Sequence, residues 1–597
     1  MKTCLCVMTL TVGCGLTAAL GAPTIQEIAP RESFVVLGAS HAETMIARLQ
    51  RTALWEMWMS EDMADARKSM LEEMSAGFDE MEQELGLEED TIVPPSGPAG
   101  VAAFVARGEN NAPGLGFIGF ADFGDKADHM TRVIDALVKK AGEDHIEVDD
   151  QDVLGSTVYS FAIPQPPKAE ADEFDDEFGG GGMGMPDPEA LLATIRHIHV
   201  VRHKSMVLVS SDLTTLENAM EVIDGDALDR LASDPDFDGV VNAFDGDVDV
   251  YGAVLPLKAR GLLGDDDMMA MMVDSFGPVL HELLGDVRGM GFGLRLDGER
   301  AMVEQTMSLY MPNGKNGLTA LLNLESPRGK VPFFAGSDVT SFASINFQFA
   351  DLMGVARKVI MAHPLLQMQA GPMLDQVAPM MEQFFAAMGS KVYSAKTLSR
   401  PVTADSQKSM LVMEMSNLEQ FQNMVAMLAP QGGFQAREFL GHQIYTLEMG
   451  DMGGGMPLGS SGSMSIGTGA GLAFVGDTAA VEQALRASAA GGTGGIASEP
   501  AFAKAVAMLP DDSVIAWGIS SPADEAEYMV AQQRKMIEDM REFWGDEMDP
   551  EVIDQMGGAL NDVPIALIRK YVGPAAWQLR SVESGFVFRA FVSDARD

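Results

Sequence analysis

The chain has 597 residues, 47% of them hydrophobic, which is enough for a large buried core and argues against wholesale disorder. Its 87 acidic and 41 basic side chains give a net charge of -46. A surface of that sign repels nucleic-acid phosphates and anionic lipid headgroups, so neither is an expected partner. It attracts cations, basic proteins and basic glycans, although solubility alone accounts for such an excess.

The chain opens with Lys2, an apolar run from Cys4 to Leu20, and small residues around Gly21. A positive head, an apolar middle and small residues at a cut make a secretory signal peptide over residues 1–21, and place the mature protein in the periplasm or outside the cell. Thr11-Val12-Gly13-Cys14 is a rival signal, the box before a lipid-anchored cysteine, but Thr stands where that box wants Leu. All three cysteines, Cys4, Cys6 and Cys14, fall inside the leader. The mature chain is then expected to have no disulfide, thiol nucleophile or cysteine-bound zinc. No later run reaches the roughly 18 apolar residues of a membrane helix, so no integral membrane segment is expected.

After the leader, a strand at Phe34–Leu37 precedes long Met-rich helices. A strand at 115–120 and a helix at 125–140 lead to a turn and alternating strand at Leu154–Phe161. An acidic, Gly-rich loop follows over 164–188, too poor in apolar residues to pack. His197-x-His199 lies on a strand, and at Val209-Ser-Ser-Asp212 a strand turns through Asp212, an N-cap, into an amphipathic helix. Ser233-Asp234-Pro235 starts another helix. The strand 249–255, the helix 266–284 and a hairpin of 289–296 with 301–310 close the first unit.

The same succession then recurs. Strand 341–347 and Met-rich helices precede strand 410–415, helix 418–428 and the turn and strand Leu440–Leu447. A Gly/Met/Ser-rich loop spans 450–463. Phe474-Val-Gly-Asp477-Thr-Ala-Ala-Val481 matches Val209-Ser-Ser-Asp212-Leu-Thr-Thr-Leu216, and Ala497-Ser498-Glu499-Pro500-Ala501-Phe502 matches Ala232-Ser233-Asp234-Pro235-Asp236-Phe237. Both matches stand 265 residues apart, in one register. Strand 514–519, helices 523–543 and 550–571, and a hairpin of 576–582 with 585–592 finish the chain. The fold class is therefore read as α+β, in two tandem units over 22–325 and 326–597 with a seam near Pro327–Val331. Each unit is expected to hold a largely antiparallel sheet covered on one face by helices.

The strongest metal candidate is Asp234, Asp236, Asp238 and Asp245, whose spacing around Gly239 fits a calcium loop. Against it, Pro235 is awkward in such a loop, Asp replaces the usual bidentate Glu, and the matching segment at 499–504 has lost the ligands and kept the helix start. The calcium set is thus secondary, and no metal or cofactor is expected. His197 and His199, with His203 nearby, could share a metal, but the matching strand carries no histidine, so a solvated strand face is the simpler reading. Of the 44 methionines, Met183, Met185, Met452, Met456 and Met464 lie on or beside the loops, where thioethers could hold Cu(I). Many others, among them Met373, Met380, Met381 and Met388, recur at helical spacing, as residues that fill irregular cores do. No Gly-x-Ser-x-Gly, His-Glu-x-x-His or phosphate-cradling Gly loop occurs.

Ala29-Pro30-Arg-Glu-Ser-Phe34-Val-Val-Leu37, Ser211-Asp212-Leu-Thr-Thr-Leu216 and Gly476-Asp477-Thr-Ala-Ala-Val481 resemble a loosely defined class of exported bacterial proteins of unknown function with duplicated α+β units. The resemblance carries no functional residue over. The expected function is that of an exported, non-catalytic envelope or extracellular protein with a binding or structural role, its partner an unknown protein, glycan or apolar ligand. The alternative is a carrier of a lipid or peptide in a Met-lined cleft. A hydrolase with an unrecognised site is the remaining reading.

Overall fold

A computed structural model describes residues 23–40, 42–88, 91–107, 113–164, 194–244, 246–263, 268–322, 324–448, 463–490, 495–510, 512–544 and 564–596. The leader with its three cysteines, Asp245, and most of the loops at 164–188 and 450–463 lie outside the described residues, as does 545–563, which takes in most of the last expected helix, 550–571.

Strands form where β-branched, aromatic and small residues alternate with partners on the next strand. In the first half they are β1 Ser33–Ala39, β2 Ala99–Arg107, β3 Pro113–Asp122, β4 Val148–Val153, β5 Ser156–Ala162, β6 His197–His203, β7 Met206–Ser210, β8 Val250–Val254, β9 Gly289–Leu296 and β10 Val303–Tyr310. In the second they are β11 Val339–Asn346, β12 Met388–Leu398, β13 Gln407–Met415, β14 Gln435–Phe439, β15 His442–Glu448, β16 Ser463–Gly469, β17 Leu472–Asp477, β18 Ala516–Ser520, β19 Val572–Val582 and β20 Gly585–Asp594. All twenty belong to one sheet, and their pairings are antiparallel.

The pairings give the spatial order. It runs β4-β5-β6-β7-β3-β2-β1-β8-β9-β10 through the first half. It continues β20-β19-β18-β11-β12-β13-β17-β16-β15-β14 through the second. Each half thus visits its strands in the same order, and the two meet edge to edge where β10 pairs with β20, from Val303↔Val592 to Tyr310↔Gly585. At the seam, Ser326 and Pro327 pair with Val514 and Ser513 in a separate two-stranded ribbon.

Local chemistry repeats with the order. Leu154-Gly155 turns β4 into β5 with φ of 51° and 75°, and Leu440-Gly441 turns β14 into β15 with 52° and 81°. Two successive positive φ values match the right-handed twist of the flanking strands, and glycine adopts one without strain. Asp212 then caps the helix Leu213–Asp224 by accepting from the Thr215 amide at 2.7 Å.

Helices lie on both faces of the sheet, not on one as the sequence suggests. On β7, Met206 and Leu208 pack with Leu216 and Met220 of helix 213–224 and Phe237 of helix 235–241. Val207 and Val209, pointing the opposite way, pack with Met130, Val133, Ile134 and Leu137 of helix 127–143. The second half does the same. Val412 and Phe474 meet Val481, Leu485 and Phe502 on one face, while Met413 and Ala473 meet Phe421, Met424 and Val425 on the other. A strand buried on both sides loses the polar alternation that marks a half-buried one, which is why β7, Met-Val-Leu-Val-Ser, reads as a near-continuous apolar run.

Candidate binding face

In the middle of the sheet the second of these faces leaves several apolar side chains uncovered by the described residues. Register places Leu37, Gly252, Phe292, Met307, Phe588 and Leu579 in one row across β1, β8, β9, β10, β20 and β19. The adjacent row on the same face is Val35, Val254, Met290, Leu309 and Phe586. Five of these side chains are exposed: Val35 39%, Leu37 47%, Val254 37%, Met290 45% and Met307 46%. Single exposed apolar residues are ordinary, but a contiguous set in the centre of a sheet is not, and such patches mark interaction sites.

Helical segments bound this floor at both ends of its strands. Val287 and Leu322 pack with Met311 and Phe586 near the ends carrying Tyr310 and Gly585. Ala53, Leu54 and Met57 pack with Val303, Val592, Leu567 and Tyr571 at the opposite ends. Helices further out also show apolar side chains to solvent. Leu280 is exposed on helix 268–284, Met361 on 352–361, Met368 and Met373 on 364–387, and Met529 on 522–544. Met388, by contrast, is buried, as are Met410, Met413 and Met424. The expectation that helically spaced methionines fill the core therefore holds for Met388 and not for Met373 or Met380, because helix 364–387 buries only Ala378 and Ala387.

The histidines on β6 are not a solvated face. His197 is exposed, but His199 and His203 are buried, each opposite a serine on β5. Ser160 Oγ lies 2.8 Å from His199 Nδ1, and Ser156 Oγ lies 2.9 Å from His203 Nδ1. His203 Nε2 in turn meets Asp224 Oδ1 at 2.9 Å, and Lys204 Nζ holds the same carboxylate at 2.6 Å. Burial, then the charge of nearby His197, pushes the His199 imidazole down to about 4. The Ser156–His203–Asp224 chain has the composition of a hydrolytic triad. Its neighbour Ser160–His199 makes the same serine contact without a carboxylate, which favours a cross-strand ladder that satisfies two buried rings.

The calcium candidates are arranged as a helix start. Asp234 caps helix Pro235–Val241, its Oδ1 accepting from the Asp236 and Phe237 amides at 3.1 and 3.0 Å. Its Oδ2 lies 2.9 Å from Lys258 Nζ and 3.5 Å from Arg31 Nε. A carboxylate so engaged has its charge answered by protein cations. Asp238 is exposed in the first turn, Asp236 is half-buried, and Asp245 lies outside the described residues. Among the described residues, no three His, Cys, Asp or Glu side chains stand together to hold a metal ion. Met464 lies on β16, and Met183, Met185, Met452 and Met456 are outside the described residues.

No protein-family model matches the chain, and no curated protein matches it. Among solved structures, "Structure of crystal form I of TP0453" is similar over 45% of this chain and 96% of that one, at 8% identity and a TM-score of 0.20. A likeness that slight carries no argument about fold or function. No helix among the described residues is long and apolar enough to cross a membrane.

Proposed function

We propose that this is an exported, non-catalytic binding protein that holds a lipid acyl chain against the bare sheet face between β1 and β10. The observation that carries the reading is the contiguous exposure of Val35, Leu37, Val254, Met290 and Met307. Leaving apolar area in water costs about 25 cal/mol per Å², so an uncovered floor of this kind favours an apolar occupant. The two methionines suit a flexible ligand, since unbranched thioether side chains repack around different shapes. The net charge of -46 favours a neutral or zwitterionic lipid over an anionic one. Export rests on the leader pattern of residues 1–21, and the matched pairing order of the halves supports their origin as two copies of one unit.

The reading is tested with the purified chain. N-phenyl-1-naphthylamine, a neutral apolar fluorophore, should bind saturably, and an organic extract should contain lipid at close to one molecule per chain. Met307→Glu, on an exposed position, should weaken probe binding about tenfold or more, as a charge facing an apolar ligand without a partner would. Absence of saturable binding in the wild type, or equal binding by the variant, overturns the proposal. Displacement of the probe by an extended apolar peptide but by no lipid would reassign the occupant.

A further inference from the structure

Beyond Cys14 the chain has no cysteine, so its sulfur chemistry there is that of methionine thioethers. Strand β10 sets three of them in contrast. Met302 and Met311 flank the strand and are 6% and 0% exposed, held in apolar clusters with Tyr571 and with Phe586. Met307, between them, is 46% exposed among the described residues, and Met290 on β9 is 45% exposed.

Register makes the two exposed thioethers neighbours. Met307 stands opposite Phe292 and Met290 opposite Leu309, so the pair lies on one diagonal of the β9–β10 ladder, on the floor face. Residues so placed are about 7–8 Å apart, close enough for one ligand to cover both. The side chains beside them in register, Phe292, Leu309, Phe588 and Val254, offer no hydrogen-bond donor. Hydrogen peroxide oxidises an accessible thioether directly. The sulfur lone pair takes one peroxide oxygen, the O–O bond breaks, a proton shifts to the departing oxygen and water leaves. Sulfur loses two electrons, the peroxide gains them, and an apolar side chain becomes a polar sulfoxide.

We propose that Met290 and Met307 are oxidation sites of the apolar floor, at which peroxide makes sulfoxides that release the bound lipid. The proposal rests on the lipid reading and adds its regulation. Against an acyl chain each sulfoxide oxygen forfeits the water it would otherwise bond, so the oxidised floor favours solvent over ligand. Packing is spared, because the methionines at the two ends of β10 are buried.

The test uses the full chain, N-phenyl-1-naphthylamine and hydrogen peroxide, with sulfoxide at each methionine counted by peptide mass spectrometry. Met290 and Met307 should gain oxygen well before Met302 and Met311, and the dissociation constant of the probe should rise about tenfold in step with them. The double variant Met290→Leu, Met307→Leu is compared with itself before and after peroxide, and its affinity should shift less than about twofold. Met361, Met368 and Met373, on helices 352–361 and 364–387, are more exposed still at 68%, 69% and 69%. Replacing those three by Leu should leave the protein as sensitive to peroxide as the wild type. Equal oxidation of Met290, Met302, Met307 and Met311, an oxidised wild type that binds as before, or a double variant that loses as much affinity as the wild type overturns the proposal. A wild type that binds no probe before oxidant is added overturns the lipid reading, and this proposal with it, at that first step.

Discussion

The two halves share a strand order and differ in the polar pairs they set on it. On β5 and β6 the first half places Ser160 opposite His199 and Ser156 near His203. At the corresponding positions of β15 and β16 the second half has Thr446 bonded to Ser465 at 2.8 Å, and His442 facing the space over Gly469. The apolar positions between them, Val158 with Val201 in one half and Ile444 with Gly467 in the other, keep the interior closed. Burial demands that each polar atom find a partner and not that the partner be of a given kind, so the polar pairs of the two halves can differ where the packing positions agree.

If packing is what the halves have in common, equivalent core residues should matter alike. Phe237 and Phe502 sit in the first helical turn after matching Pro residues and are 2% and 9% exposed. Truncating a buried Phe to Ala costs about 3–5 kcal/mol through lost transfer energy and the cavity left behind. Phe237→Ala and Phe502→Ala should both fall in that range in urea denaturation, with Phe237→Ala the larger. A Phe502→Ala cost under about 1 kcal/mol would break the equivalence of the two helix starts.

The sequence makes the local features legible and hides the distant ones. Leu154-Gly155 and Leu440-Gly441 are readable as turns, and Asp212 as a cap, because their geometry is decided within a few residues. The union of β10 with β20 is not readable, since it joins positions as far apart as Val303 and Val592 and neither strand carries a local mark of its neighbour. The bare floor is hidden for the same reason. Val35 and Leu37 alternate like any half-buried strand, and only the register of β8, β9 and β10 with their exposed side chains shows that these positions lie uncovered among the described residues. The two-sided cover of the sheet was obscured because helices 127–143 and 213–224 follow strands of one sheet, and sequence does not say to which face each returns. The burial of His199 and His203 depended on serines 39 and 47 residues away.

The Ser160–His199 pair gives the comparison a pH axis. The folded His199 titrates at about 4, below the ordinary 6.5 of an unfolded histidine. Between those values the unfolded chain binds a proton that the folded chain refuses. The contribution of His199 is therefore fully present above pH 6.5 and is lost as pH falls toward 4. The shift corresponds to about 2–3 kcal/mol once partial solvent access is allowed for. His199→Ser, which installs the residue type found at Ser465, should narrow the difference in unfolding free energy between pH 7.5 and pH 4 by that amount. Other carboxylates titrate in the same window, so the quantity to compare is the wild-type slope minus the variant slope. Parallel slopes would mean that the imidazole is not held neutral.

The smallest contrast separates the two helix starts themselves. Asp234 accepts two backbone amides and is flanked by Lys258 and Arg31. Glu499, at the equivalent place, is exposed and makes no side-chain cap bond, because its extra methylene carries the carboxylate past the first-turn amides. Asp234→Ala should then cost about 1–2 kcal/mol, the usual value of a lost cap, and also leave Lys258 without its carboxylate. Glu499→Ala should stay within about 0.5 kcal/mol of the wild type. Glu499→Asp sharpens the point, since shortening the side chain restores the reach of a cap and should stabilise the second half by up to about 1 kcal/mol. A stabilisation by Glu499→Asp together with a neutral Glu499→Ala would show that the second helix start has the Pro and the core Phe of the first without its working cap. Equal losses at Asp234→Ala and Glu499→Ala would instead mean that the helix-terminal charge, and not the cap geometry, is what both sites supply.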